Sequence, residues 1–280
     1  MPDTVIRPPV PYFGSKQRLA TRITSLLPTH AHYVEPYAGG LSVLLAKTPS
    51  KLETVNDLDG ELMTFWRVLR ERSADLIRAC ALTPHSRAEH DGSYQDTPGD
   101  DLETARRVWV RLSQGRGGTQ RRTGWRQYVN PAGTSTSLPS CLDGLVDRMA
   151  AAAERLHAVS LEALPAVELI ARYGQHPGVL LYVDPPYLGS TRSFANYRHE
   201  MRGEEQHREL AAALADCRAA VVLSGYDSPL YGALYEGWHR VELAARADNA
   251  AAGERARTEV LWSNRPFPVA SEHDLFTASA

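Results

Sequence analysis

Val179-Leu180-Leu181-Tyr182-Val183, running straight into Asp184-Pro185-Pro186-Tyr187, tells more about this chain than any other stretch of it. A short apolar run of this kind reads as a strand buried on both faces of a parallel sheet. The two prolines then end the ladder and stiffen the turn that follows. An acid, a proline carbonyl and an aromatic ring are thereby presented at the carboxyl end of a strand, where open α/β sheets place their chemistry. Asp184 and the carbonyl of Pro185 can each accept a hydrogen bond from one amino group, Pro186 holds the turn, and Tyr187 offers a face for stacking. The set suits a planar amine such as the exocyclic nitrogen of adenine. As plain structure, the same four residues are a strand ending in a Pro-rich turn with Asp as turn former.

On either side the chain alternates strand and helix patterns. Ser15 to Leu27 reads as a helix capped by Ser15 and stopped by Pro28. His32 to Glu35 and Glu53 to Asn56 read as strands, and Gly60 to Arg72 as a helix with Leu62, Phe65, Trp66 and Leu69 on one stripe. One helix, Asp101 to Ser113, interrupts an irregular region from Thr83 to Pro139; another runs from Cys141 to Leu156, before a short strand at Ala158 to Leu161. After Tyr187 come a helix from Gly203 to Cys217, a strand at Ala220 to Ser224, and strands near Trp238 to Leu243 and Thr258 to Trp262. The last two have no convincing helix between them and are expected to form an antiparallel hairpin at the sheet edge. The organisation expected is a catalytic domain of residues 1–72 and 140–268, an inserted target-recognition region at 73–139, and a frayed tail at 269–280.

The 280 residues suit one large α/β domain with an insertion, and 43% hydrophobic with 23% charged residues is ordinary for a globular protein. No apolar stretch approaches a membrane span, and no signal-peptide pattern opens the chain, so a cytoplasmic protein is expected. Three scattered cysteines and histidines without metal-ligand spacing lead to the expectation of no disulfide framework and no metal. The net charge of −2 hides an uneven distribution. Between Ala105 and Leu142 stand Arg106, Arg107, Arg111, Arg116, Arg121, Arg122 and Arg126, with no Asp or Glu. That one-sign segment reads as a footprint for phosphates. With 28 Arg against 3 Lys, composition explains the choice of arginine but not the missing acids.

A second site lies at Glu35-Pro36-Tyr37-Ala38-Gly39-Gly40, between a strand and a helix. Glycines there let a ligand approach the backbone, and free amides at the helix start offer donors. Asp57 ends the next strand, about twenty residues on, where nucleoside-binding sheets hold ribose hydroxyls. Its structural alternative is a helix cap, since Asp57 and Asp59 both precede a helix.

Taken in order, these pieces resemble the Dam-type DNA adenine N6-methyltransferases, including prophage-like members. The resemblance spans most of the chain: Pro11 to Lys16, Val34 to Gly40, Asn56-Asp57, Asp184 to Tyr187, Ala195 to Glu200, Leu223 to Tyr226, and Glu259 to Trp262. It implies a Rossmann-like sheet of seven strands with helices on both faces, and S-adenosylmethionine as methyl donor. By motif position, Tyr12 and Lys16 would border the methionine end of that cofactor, with Lys16 near its carboxylate. Glu35, Pro36, Tyr37, Ala38 and Gly39 would wrap the methionine and ribose, Asp57 would hold the ribose hydroxyls, and Asp184 and Tyr187 the target base. Two departures stand out. The last glycine of the family's F-x-G-x-G pattern is Leu41 here, and Glu162 to Ala166 lacks the acid that relatives often place near the cofactor's adenine.

The chemistry follows from the residues. Two acceptors on an exocyclic amine favour a more pyramidal nitrogen with an available lone pair, so positioning and electrostatics can carry the transfer without metal or covalent intermediate. A base in a duplex must first flip out. Arg116, Arg121, Arg122, Trp125, Arg126 and Tyr128 are the expected DNA contacts, on a hairpin that reads or wedges double-stranded DNA. The alternative is a surface loop with Trp125 packed on the core. Cytosine N4 and adenine in RNA are alternative acceptors, although cytosine relatives usually have Ser in place of Asp184. A nicotinamide-dependent dehydrogenase lacks its G-x-G-x-x-G here, and a DNA binder without catalysis would not need Asp184 to Tyr187. An asymmetric reader of this kind is expected to act as a monomer.

Overall fold

A computed structural model describes residues 5–95, 99–129, 136–189, 197–243 and 258–268. The tail at 269–280, and Ala195 and Asn196 of the family-like stretch, lie outside the described residues. The strands are β1 (His32–Glu35), β2 (Leu52–Asn56), β3 (Val159–Glu162), β4 (Val179–Val183), β5 (Ala220–Tyr226), β6 (His239–Leu243) and β7 (Glu259–Ser263). They form one seven-stranded sheet in the order β3-β2-β1-β4-β5-β7-β6. The first five pair in parallel, and β7 runs antiparallel to both β5 and β6. The expected closing hairpin is therefore present, with β6 at the edge.

The helices, in chain order, are α1 (Ala20–Ser25), α2 (Ser42–Ala46), α3 (Gly60–Glu71), α4 (Ser73–Ala81), α5 (Arg87–Gly92) and α6 (Asp101–Gln114). They continue as α7 (Leu138–Val146), α8 (Met149–Leu156), α9 (Ala166–Tyr173), α10 (Glu204–Ala215) and α11 (Pro229–Leu234). Two buried clusters lie on the two faces of the sheet. Alternation along β4 assigns Leu180 and Tyr182 to one cluster and Val179, Leu181 and Val183 to the other. This is why β4 reads as an unbroken apolar run.

Several elements differ from the sequence reading. The first helix begins at Ala20, because residues 11–19 wind past the sheet in turns, with Gly14 at φ 75°. Ser15 caps nothing there; its hydroxyl meets that of Ser42 at 2.6 Å. The Cys141 to Leu156 helix is two helices broken near Asp147. Helices α4, α5, α9 and α11 were not anticipated, being short or set in polar surroundings. Within 73–139, Leu76 and Cys80 of α4 and Val108, Trp109 and Leu112 of α6 share a cluster with Tyr33, Leu44 and Phe65. These two helices complete the core on one face of the sheet, with Trp109 fully buried.

Candidate active site

The strand order reverses between β1 and β4, and there a cavity of about 300 Å³ opens at the carboxyl ends of the parallel strands. Each strand contributes the turn that leaves it: residues 36–43 after β1, 56–59 after β2, 164–167 after β3, and Asp184 and Pro186 after β4. The amino-terminal segment from Tyr12 to Lys16 and the segment from Tyr197 to Met201 close the sides. Tyr12, Lys16, Glu35, Pro36, Tyr37, Ala38, Gly39, Asp57 and Asp184 all line this one hollow, although they come from parts of the chain up to 172 positions apart.

The turn after β1 is held from beneath. Glu35 is buried and accepts the Tyr33 hydroxyl at 2.6 Å and the Leu44 amide at 2.9 Å. Burial pushes its carboxyl up to about 8 despite those two donors. Gly39 takes φ 47°, and its face is covered by the Tyr12 ring; a Cβ on Gly39 or Gly40 would come within 2.9 Å of that side chain. The glycines therefore admit Tyr12 as well as any ligand. Leu41 follows at φ 54°, the one left-handed non-glycine residue among those described. This is where the family pattern would have glycine. A bulky side chain there costs about 1–2 kcal/mol, which is offset by its near-complete burial.

Of the two roles considered for Asp57, the helix cap falls to Asp59. Asp59 is the cap of α3, accepting the amides of Glu61 and Leu62. Asp57 accepts the Gly39 amide at 3.0 Å and the Asp59 amide at 2.9 Å, bracing one turn against the other. Burial holds its carboxyl up near 6, the two amides opposing. At the β3 end, Asn56 exchanges hydrogen bonds with the carbonyl and amide of Leu164. Where relatives carry an acid, the wall is thus Leu164, Pro165 and Val167, an apolar surface.

At the β4 end, Asp184 is paired. Lys16 Nζ donates to its two oxygens at 2.8 and 2.7 Å and to the Gly14 carbonyl at 3.0 Å. Lys16, expected near the carboxylate of a cofactor, lines the cavity with its ammonium held by Asp184. Burial works against that charge, but Asp184 and Glu259 outweigh it and raise the ammonium's pKa. Asp184 nonetheless stays on the cavity wall, its side chain 19% exposed. Tyr187 departs from its expected place as a stacking face. Its ring is not on the cavity wall but buried edge-on to Tyr226, with the Lys16 ammonium 4.9 Å from its centroid. Its hydroxyl donates to Glu259 and approaches Asp184 at 3.1 Å. Strand pairing beneath the turn draws this ring inward, so it is no free stacking platform. The aromatic residues on the cavity wall are Tyr12, Phe13, Tyr37, Tyr182 and Tyr197.

The arginine-rich segment also divides. Arg106 pairs with Glu89 and Glu103, Arg107 with Glu103, and Arg111 with Glu61, all on or against α6. The acids missing from the segment come from elsewhere in the chain, so these three arginines are structural. Arg116, Arg121, Arg122 and Arg126 lie on a loop after α6 that Gly115 and Trp125 close as an antiparallel pair, with Arg126 N bonded to the Gln114 carbonyl at 2.8 Å. Trp125 is stacked on His85 at 4.5 Å, with the Arg87 guanidinium 4.7 Å from its ring, so it is an anchor of the loop rather than a wedge. Arg126 donates to the Tyr128 hydroxyl, and Tyr128 is exposed. The loop reaches the cavity: the Phe13 amide donates to the Gly118 carbonyl at 2.7 Å, and Gln120 to Asp59 at 3.1 Å. Arg198 joins the same acids, Asp59 and Glu61. Gln120 carried no signal in the sequence, and the family-like stretches that hold Arg198 and Glu259 gave no sign of their pairing, since the partners are 61, 139 and 72 positions away.

The family model of the D12 class N6 adenine-specific DNA methyltransferases matches residues 12–248. The chain belongs to that family. Adenine in DNA is accordingly its acceptor, and cytosine N4 and RNA adenine are set aside. The Type II methyltransferase M1.LlaDCHI of Lactococcus lactis subsp. cremoris is 27% identical over 278 residues, covering 92% of this chain and 95% of its own. Two solved structures of the rRNA methyltransferase aviRa from Streptomyces viridochromogenes align at TM-scores of 0.38 and 0.37, each at 15% identity. They cover 99% and 94% of this chain and 92% and 90% of theirs, and likeness at that level carries no argument about the acceptor. Among the described residues no cluster of His, Cys, Asp or Glu could hold a metal, and no helix is long and apolar enough to cross a membrane.

Proposed function

We propose that this enzyme methylates N6 of an adenine flipped out of double-stranded DNA, with S-adenosylmethionine as donor and the described cavity as the reaction chamber. What carries the reading is the convergence of the Glu35 to Leu41 turn, Asp57 and Asp184 on one cavity at the strand-order reversal. When bound, S-adenosylmethionine supplies a sulfonium methyl group. The donor set suits it: Asp57 offers a carboxylate to ribose hydroxyls, the turn offers backbone to the methionine, and Leu164, Pro165 and Val167 offer an apolar wall to a purine. Asp184 and the Pro185 carbonyl accept from the target amino group and leave its lone pair available, with Pro186 fixing the turn. Flipping costs a few kcal/mol. With Tyr187 committed elsewhere, that cost is recovered at the cavity's other aromatic faces and through phosphates held by Arg116, Arg121, Arg122 and Arg126, with Tyr128 beside them. Every group named comes from a single chain, an arrangement that suits action as a monomer.

The test is labelled methyl transfer to duplex DNA, with the product base identified by single-molecule sequencing of DNA from cells making the protein. N6-methyladenine at a defined site is expected, and Asp184→Ala is expected to slow turnover by roughly a hundredfold, as for loss of a charged hydrogen bond, while the cofactor still binds. Transfer to another base, or near-wild-type methylation by Asp184→Ala, would sink the reading.

A further inference from the structure

Behind Asp184 lies a network of buried polar groups with no part in the mechanism above. Glu259 opens β7 opposite Tyr226 of β5, which places it beside the carboxyl ends of the parallel strands. It is only 6% exposed. Its Oε1 accepts the Ser224 hydroxyl at 2.6 Å and the Tyr187 hydroxyl. Lys16 Nζ, 2.7 Å from Asp184, is 3.9 Å from that same oxygen. One ammonium thus faces two carboxylates, one on the cavity wall and one buried behind it.

A buried acid set next to another acid is costly, and the packing of β7 does not ask for one: Val260, Leu261 and Trp262 supply its apolar burial. Burial holds the Glu259 carboxyl above the usual range, with Lys16 opposing and Asp184 adding to the shift. Two hydroxyls already point at Oε1, so the site is built as an acceptor. Asp184, meanwhile, has both oxygens taken by Lys16. A carboxylate so engaged is a weakened acceptor for another amino group. An ammonium beside the reacting nitrogen also opposes the positive charge that builds there as the methyl arrives. A shift of about 1 Å would bring Lys16 into hydrogen-bond range of Glu259.

We propose that Glu259 is a positioning residue that draws the Lys16 ammonium off Asp184 as the target amino group arrives. Asp184 is then free to accept, and the three charges together leave an excess negative charge beside the developing cation. This rests on the reading of Asp184 as the acid that holds the base.

Glu259→Gln keeps the shape and the acceptor for Ser224 and Tyr187 and removes the charge. In single turnover with the full chain, labelled S-adenosylmethionine and duplex DNA carrying its site, the rate should fall about tenfold to a hundredfold, as for loss of one charged hydrogen bond. Cofactor affinity should stay within about twofold. Adding Lys16→Met to Glu259→Gln should restore part of the rate per cofactor-binding site, because nothing then occupies Asp184. An unchanged rate in Glu259→Gln overturns the proposal. So does an additive or deeper loss in the double variant, which marks Glu259 as structural even if the single variant folds poorly. Asp184→Ala separates the two levels: if it methylates normally the underlying reading fails, and if it is inactive the Glu259 variants test the positioning role alone.

Discussion

The cavity wall and the arginine loop both carry charged residues that catch the eye in the sequence, yet they are built in opposite ways. On the wall, Glu35, Asp57 and Asp184 are each tied by two or more donors, and two of them are buried deeply enough to titrate far from their usual range. On the loop, Arg116, Arg121 and Arg122 stand exposed, and the anchoring falls to Gly115, Gly118, Gln120 and Trp125. On the function proposed above, the groups that orient a small molecule are immobilised by their neighbours, while those that meet phosphates keep their reach. The two regions meet at Asp59, which caps α3 and receives Gln120 from the loop.

The sharpest way to break this contrast is at Leu41, where wall geometry and core packing conflict. Leu41→Ala removes a buried side chain but keeps a Cβ at a left-handed position, and should destabilise by about 2–5 kcal/mol. Leu41→Gly loses the same packing but relieves about 1 kcal/mol of backbone cost. It should be the more stable of the two by urea denaturation, the reverse of the usual order for glycine and alanine. Equal stabilities, or the usual order, would mean the turn is not strained.

A smaller effect sharpens the electrostatic half. Desolvation on the cavity wall holds the partly buried Asp57 carboxyl up at about 6, and in the proposed site ribose hydroxyls would donate to its ionised form. Cofactor binding should therefore weaken as pH falls through about 6, approaching tenfold per unit below it, with proton release on binding at pH 6 visible in calorimetry. The sign for folding is opposite: a raised carboxyl favours the folded chain at low pH, and that stability is lost as pH rises from about 4 through 6. Affinity that is flat from pH 5 to 7 would remove Asp57 from the ribose site.

The smallest effect belongs to the loop. Arg126→Ala should weaken DNA binding a few-fold, and its pattern is the informative part. Uniform weakening with a salt slope reduced by about 1 means a phosphate contact; relaxed preference at one base pair means reading of sequence. No change in either removes Arg126 from the interface.

Much of the sheet was legible in the residues because strands and their turns are local: β1, β2, β4 and β5 begin within a residue of where apolar runs and flanking prolines or acids put them. Glu35, Asp57 and Asp184 were legible for the same reason, each sitting at the end of such a run, whereas Tyr12 and Lys16 were found only through the family resemblance. Charge pairing was not legible. Seven arginines without an intervening acid looked like one basic surface, yet Arg106, Arg107 and Arg111 are paired with Glu61 of α3, Glu89 of α5 and Glu103 of α6 itself, and Arg122 lies 3.9 Å from Asp91.

The order of strand, acid, two prolines and tyrosine therefore sufficed to place Asp184 at the end of a central parallel strand, since backbone stereochemistry and burial act over a few neighbouring residues. Which carboxylate Lys16 holds, which way Tyr187 faces, and where the Arg111 guanidinium is spent depended on partners 168, 72 and 50 residues away. Those contacts exist only once the sheet has assembled, and their energies turn on separations of an ångström or two that local sequence does not encode.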